Sequence, residues 1–242
     1  MDDYLQRFFN SAAVMRLQPA FTKEDLTSNI YELLHKNKLD ESGVKVILTG
    51  GYSPESYDPA TPNLIITQQK LQTPANDKFS NGIKVITYEY QRDLPGIKSI
   101  NYLMGVWLQQ IIKENGAEDV LYFKEGFVTE FSRSNVFLVT SDKKLVTPSD
   151  NILHGITRKK LLELAVKNYT VECRAVTITE LKEAAEVFMT STTKRLLPVT
   201  RIDNTVIGNG SAGPVTALLN TAFIKMEEEV LSGRVMAGMN NG

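Results

Sequence analysis

The chain has one cysteine, one tryptophan and two histidines among its 242 residues. A single thiol excludes an internal disulfide framework, and no CxxC or Cys/His spacing suited to a metal exists. Cys173, between Glu172 and Arg174, reads as a buried or idle thiol in a strand, and its isolation points to a reducing, cytoplasmic compartment. Net charge is also missing. The 27 Lys and Arg residues against 28 Asp and Glu leave −1, so nothing suggests a nucleic-acid or anionic-membrane partner. No apolar run approaches the roughly 20 residues of a membrane span. The opening MDDYLQRFFNSAAVMRL is acidic and then amphipathic, unlike a secretory signal. GxxxxGKS/T is absent, which disfavours a P-loop site.

What remains is ordinary globular material, 42% hydrophobic and 23% charged, long enough to bury a core without disulfides or metal. Leu5, Phe8, Phe9, Ala12, Ala13 and Leu17 recur at helical spacing and predict a helix over 4–17, ended by Pro19. Thr22 and Asp25 form a capping-box pattern ahead of a second helix reaching about Lys38. Strand-like runs follow at 44–49, 64–67 and 83–88, around a Gly/Pro/Ser-rich loop at 50–62. A helix is predicted over 103–114, stopped by Asn115-Gly116. Short strands then fall at 119–123, 127–130, 135–140 and 144–146. Beyond them lie a helix at 156–168, a strand at 171–175, a short helix at 180–186, strands at 187–190, 199–202 and 205–207, and a closing helix from Pro214. The class is mixed α/β without regular βαβ alternation, so a Rossmann fold is disfavoured. The expected organisation is a small α/β domain over 1–90, a linker over 91–97 and a larger domain over 98–242.

Chemistry is only faintly marked by single residues. Lys98 follows Pro95-Gly96 at the expected junction, where pockets often form, yet a lone lysine is ordinarily a solvated charge. Glu130 ends an apolar strand, where a carboxylate is ordinarily just a turn residue. Thr157 opens a helix after Gly155, and Ser191, Thr192 and Thr193 follow the apolar VFM. Hydroxyls and N–H groups at such places cradle phosphate or simply cap the helix.

The ordered combination is more specific. IKSINYL (97–103), VTEFSRSNVF (128–137), ILHGITR (152–158) and VFMTSTTKRLLPV (187–199) together resemble the four blocks of the class IV, fold-type IV pyridoxal-phosphate (PLP) enzymes. That family includes D-amino-acid and branched-chain aminotransferases and aminodeoxychorismate lyase. The resemblance spans roughly 7–231 and implies two domains with PLP in the cleft between them. It implies that Lys98 carries PLP as a Schiff base and moves the catalytic proton, and that Glu130 pairs with the pyridine nitrogen. Ile156, Thr157 and Thr192 are implied as phosphate ligands, with Ser191 and Thr193 as helpers and Arg7 as a cationic clamp. Asn135 and Ser134 are implied to support the ring or the turn. The chemistry is consistent: an amine forms a reversible imine, an acid keeps the ring cationic, and a guanidinium binds two phosphate oxygens at once.

The implied activity is an aminotransferase passing nitrogen from an amino acid to a 2-oxo acid, with homodimerisation and small-molecule partners only. Two departures keep alternatives open. The family usually carries a further N-terminal segment before the Arg7 helix, which raises the alternative of an inactive truncated member. The D-amino-acid subgroup's Arg-x-His carboxylate trap is replaced here by Glu55 and Tyr57 in GGYSPESY. Arg133 is the substitute cation proposed for the substrate carboxylate, with Tyr57 as a further candidate substrate contact. A lyase releasing pyruvate would use the same Lys98 and Glu130. His35 and His154 are read as non-catalytic, and Tyr102 and Trp107 as core or dimer contacts, with Tyr102 alternatively edging the cofactor.

Overall fold

The structure is a computed structural model and describes residues 1–55 and 57–239. It divides into two compact units, Met1–Thr73 with Ile97–Asn101, and Pro74–Gly96 with Tyr102–Gly242.

In the first unit, α1 (Asp2–Val14) and α2 (Lys23–Asn37) precede an antiparallel hairpin of β1 (Ser42–Thr49) and β2 (Asn63–Lys70). The capping box at α2 is present: Asp25 N donates to Thr22 Oγ1 (3.1 Å) and Thr22 N to Asp25 Oδ2 (2.9 Å). Lys38 ends the helix in the left-handed region at φ 50°. Leu5, Leu26 and Ile30 form the buried centre, with Phe8, Phe9 and the hairpin's Val44, Val46, Leu64 and Ile66 packed against it. The i, i+4 spacing of Leu26 and Ile30 and the alternation of Leu64 and Ile66 place these side chains on one face each.

The second unit holds α3 (Asp77–Asn81), β3 (Ile83–Glu89), α4 (Leu103–Trp107), α5 (Gln109–Glu114), β4 (Asp119–Lys124), β5 (Phe127–Phe131), β6 (Asn135–Val139) and β7 (Leu145–Thr147). It continues with α6 (Ile156–Ala165), β8 (Val171–Cys173), α7 (Ile178–Lys182), β9 (Glu186–Ser191), β10 (Arg195–Ile202), β11 (Thr205–Val206) and α8 (Pro214–Met239). One sheet runs in the order β5-β4-β3-β10-β9-β6-β7-β8, with β11 paired to β10. Helices α6 and α8 cover one face, where Phe137, Phe188, Leu161, Leu196 and Leu219 are buried together. The opposite face buries Val136, Leu138, Met189 and Leu197 with Leu181 of α7. Phe137 and Phe188 stack at 5.3 Å, and truncating either would cost about 3–5 kcal/mol.

Two local differences from the sequence reading have physical reasons. The expected 103–114 helix is divided between α4 and α5 at Leu108, which is fully buried beside Ile112, Val120 and Tyr122. Strand β10 begins at Arg195 and runs through Pro198, although proline lacks an N–H. Its parallel neighbour β3 joins only from Val199 onward, so Pro198 removes no bond on that side. Cys173, read as a buried or idle thiol, is exposed.

The start of α8 is held from the sheet. Buried Glu186, the first residue of β9, accepts from Val215 N (2.9 Å), Thr216 N (2.7 Å) and Thr216 Oγ1 (2.7 Å). Among the described residues no helix is long and apolar enough to cross a membrane.

Candidate active site

Glu130 lies near the end of β5 and is buried. Its Oε2 accepts from Leu153 N at 3.0 Å. Its Oε1 accepts from Arg92 Nε at 2.7 Å and from Arg92 Nη2 at 2.6 Å. Asn135, at the start of β6, spans the same backbone segment, its Nδ2 donating to Leu153 O (2.7 Å) and its Oδ1 accepting from Gly155 N (3.2 Å). Two strands therefore fix the 153–155 segment just ahead of α6. The Asn135 amide is used on backbone, so the structure shows it orienting this segment.

Gly155 offers no side chain to cap α6, and the first turn of α6 carries no acidic residue. Its opening N–H groups thus present the positive end of the helix dipole. The start of α8, by contrast, is filled by the Glu186 carboxylate. Ile156 is half-buried and Thr157 buried at the opening of α6. Thr190 pairs directly with Asn135 across β9 and β6. One pleat period away on those strands, Phe188 and Phe137 pack toward α6, so Thr190 and Asn135 project from that same face. Thr190 is 2% exposed and its buried hydroxyl has no hydrogen-bond partner. Ser134 Oγ, in the turn after Glu130, is likewise buried without one. Orphaned buried hydroxyls are uncommon and mark places where a bound group completes the set.

The turn after β9 carries Ser191, half-buried, and Thr192 and Thr193, both exposed. Lys194 N donates to Ser191 Oγ (3.3 Å), and Lys194 Nζ reaches buried Asp119 Oδ2 (2.8 Å). Asp119 Oδ1 accepts from Ser132 Oγ (2.8 Å). One carboxylate thereby ties the turn that follows β9 to the turn that follows Glu130. Nearby, burial and then the Asp119 charge push the Tyr122 phenol up to about 12, so it stays protonated.

Lys98 and Arg7 belong to the first unit. Lys98 is exposed in an irregular stretch after buried Ile97, and Asn101 N donates to Ser99 Oγ (3.3 Å) beside it. Arg7 on α1 places its guanidinium 5.5 Å from the centre of the Tyr4 ring. Tyr57 is 97% exposed and Arg133 is exposed in the turn after β5. Of the GGYSPESY loop, Ser56 lies outside the described residues. His35 and His154 are exposed; burial, then the Arg158 charge, lowers the pKa of His154. Trp107 is exposed, its ring 6.1 Å from that of Tyr88, and so is no core residue.

Sequence reasoning overlooked Arg92, Asp119 and Lys194. Arg92 lies in the expected linker QRDLPGI, and no local pattern announces that it meets Glu130. Asp119 and Lys194 are 75 residues apart, beyond the reach of any spacing argument.

An open helix start beside a fixed, buried carboxylate suits a ligand with phosphate at one end and a cationic ring nitrogen at the other. PLP has that charge pattern, and the orphaned Thr190 hydroxyl fits a polar group on the α6 face. The family model described as amino-transferase class IV matches residues 1–202, and the chain belongs to that family of fold-type IV PLP enzymes. The chain is 34% identical over 229 residues to a D-alanine aminotransferase of Bacillus licheniformis, covering 92% of this chain and 81% of the relative. It superposes on a T.th. branched-chain amino acid aminotransferase with pyridoxamine 5'-phosphate at a TM-score of 0.84 and 26% identity, covering 93% of this chain and 77% of that one. A Legionella pneumophila structure assigned as a 4-amino-4-deoxychorismate lyase superposes at 0.83 with 26% identity, covering 91% and 83%.

Proposed function

We propose that the chain is a PLP-dependent aminotransferase that moves an amino group from an amino acid to a 2-oxo acid, with Lys98 carrying the cofactor as a Schiff base. The observation that carries this is Glu130, a buried carboxylate held from both sides next to the uncapped start of α6. Glu130 is the partner of the cofactor's ring nitrogen. The N–H groups of Ile156 and Thr157, the Thr157 hydroxyl and the Ser191–Thr193 turn hold its phosphate, with Arg7 as the added cation. When bound, PLP supplies an electron sink for the bond broken at the substrate Cα. With the cofactor bound, Lys98 Nζ would accept the proton from the substrate Cα and deliver it to C4′, a role that requires the uncharged amine. Arg133 receives the substrate carboxylate, and Tyr57 is a further candidate substrate contact.

A lyase reading draws support from the Legionella pneumophila likeness. It shares Lys98 and Glu130, so the substrate-facing loops separate the two reactions. We also infer a reducing compartment from the single cysteine. A homodimer is inferred from the exposed apolar side chains of Leu103, Val106 and Trp107 on α4.

The test is reconstitution with PLP followed by borohydride reduction and peptide mass analysis. A yellow protein with the reduced adduct on Lys98, absent in Lys98→Ala, supports the reading; an adduct elsewhere or none overturns it. Conversion of the bound cofactor to its pyridoxamine form by an amino acid indicates transamination. Pyruvate released from aminodeoxychorismate, without that conversion, indicates the lyase.

A further inference from the structure

Resting on the reading of Glu130 as the ring-nitrogen partner, we propose that Arg92 is a positioning residue that holds Glu130 ionised and aimed, and so decides on which side of the Glu130–ring hydrogen bond the proton sits. Arg92 directs two donors, Nε at 2.7 Å and Nη2 at 2.6 Å, at the same oxygen, Oε1 of Glu130. Both side chains are largely withdrawn from water, at 15% and 7% exposure, so screening is weak and the charge-assisted contact is strong. Nη2 also donates to Pro95 O at 2.5 Å. That backbone contact locks the guanidinium, because turning it breaks the carbonyl bond together with the carboxylate bonds. Pro95 is three residues along the chain from Lys98, so one side chain grips both the acid and the turn leading to the lysine.

Electrostatics decides where the shared proton sits. A buried carboxylate with no cation nearby favours its neutral acid form. Opposite a pyridine nitrogen, that preference would move the shared proton onto the acid and leave the ring neutral. A guanidinium on the far oxygen reverses it, keeping the charge on Glu130 and the proton on the ring. Four neighbouring ionisable groups supply no competing cation. The Tyr122 phenol of β4 and Tyr90 carry no positive charge, and the Asp119 carboxylate is bonded by Lys194. His154, beside Leu153, has its pKa lowered, which keeps it neutral. A lysine at 92 would keep the charge but lose the planar two-donor grip.

The experiment uses PLP labelled with 15N in the ring, bound to the wild-type chain and to Arg92→Gln, Arg92→Lys and Glu130→Gln. The ring 15N shift is read at neutral pH, with thermal melts to follow the fold. The wild type is expected to show a protonated ring. Arg92→Gln is expected to raise the neutral-ring population about tenfold or more, with Arg92→Lys changed in the same direction by less. A wild-type 15N shift in folded Arg92→Gln overturns the proposal, even if its melting temperature falls. If Arg92→Gln does not fold, a wild-type shift in Arg92→Lys overturns it instead. If the wild type binds no PLP, or Glu130→Gln leaves the ring protonated, the underlying reading of Glu130 fails. A neutral ring in Glu130→Gln with an unchanged one in Arg92→Gln sinks the Arg92 role alone.

Discussion

Gly155 and Asn135 are in close contact: Gly155 N lies 3.2 Å from Asn135 Oδ1, and a Cβ at 155 would sit 2.4 Å from that same oxygen, so any side chain there requires the Asn135 amide to shift. The constraint at 155 is steric and not conformational, since its φ of −65° suits any residue. Gly155→Ala is therefore expected to push the Asn135 amide away and release the segment before α6. PLP affinity should fall by about tenfold or more, the equivalent of ~1.4 kcal/mol. Equilibrium dialysis of PLP measures this, and unchanged affinity would show that the segment does not shape the phosphate site.

Glu186 is the buried anchor of α8, accepting from Val215 N, Thr216 N and the Thr216 hydroxyl. Removing it leaves donors buried and unpaired, each costing about 1–3 kcal/mol. Glu186→Ala should thus lower unfolding free energy by about 3 kcal/mol or more, with Glu186→Gln milder because one acceptor oxygen survives. Urea denaturation reads the difference, and an equal midpoint for wild type and Glu186→Ala would refute the anchoring role.

Asp203 supplies an acid-sensitive element. Burial raises its pKa, but Lys182 and the Thr87 N–H and hydroxyl outweigh burial and leave it below the ordinary 3.8. A folded value lowered in this way stabilises fully above about pH 4 and is lost as pH falls through the folded value. Stability measured from pH 6 down to 2 should decline in that window, and Asp203→Asn should flatten the decline. An identical acid profile in the variant would remove Asp203 from the explanation.

Arg133 is exposed in the turn after Glu130. As the cation for the substrate carboxylate, it should affect binding far more than turnover. Arg133→Ala is expected to raise KM for amino acids about tenfold, ~1.4 kcal/mol, with kcat little changed. Steady-state kinetics on a PLP-saturated enzyme decides, and an unaltered KM refutes the role.

Much of the fold was legible because its signals are local. Thr22 and Asp25 sit one helical turn apart, so the capping box could be read from their spacing and stands at the start of α2. Pro214 opens α8 for the reason that its missing N–H would have been unpaired there anyway. The ends of α6 and of the strands drifted by a few residues, since termini are settled by contacts outside the segment. Of the candidate site, the residue types and their order could be read along the chain. Their partners could not: nothing near Glu130 in the sequence points to Arg92, and nothing near Lys194 points to Asp119.

The amino-acid sequence by itself determined the membership of this chain in its family, the placing of most helices and strands, and the four blocks that bear the candidate site residues. Those follow from side-chain periodicity, caps and ordered motifs, which act over a few residues. Only the tertiary structure decided that Glu186 closes the start of α8 while α6 stays open, and that Arg92 grips Glu130. Such pairings depend on strand order and register, which bring distant residues together where water is excluded and a single charge matters most.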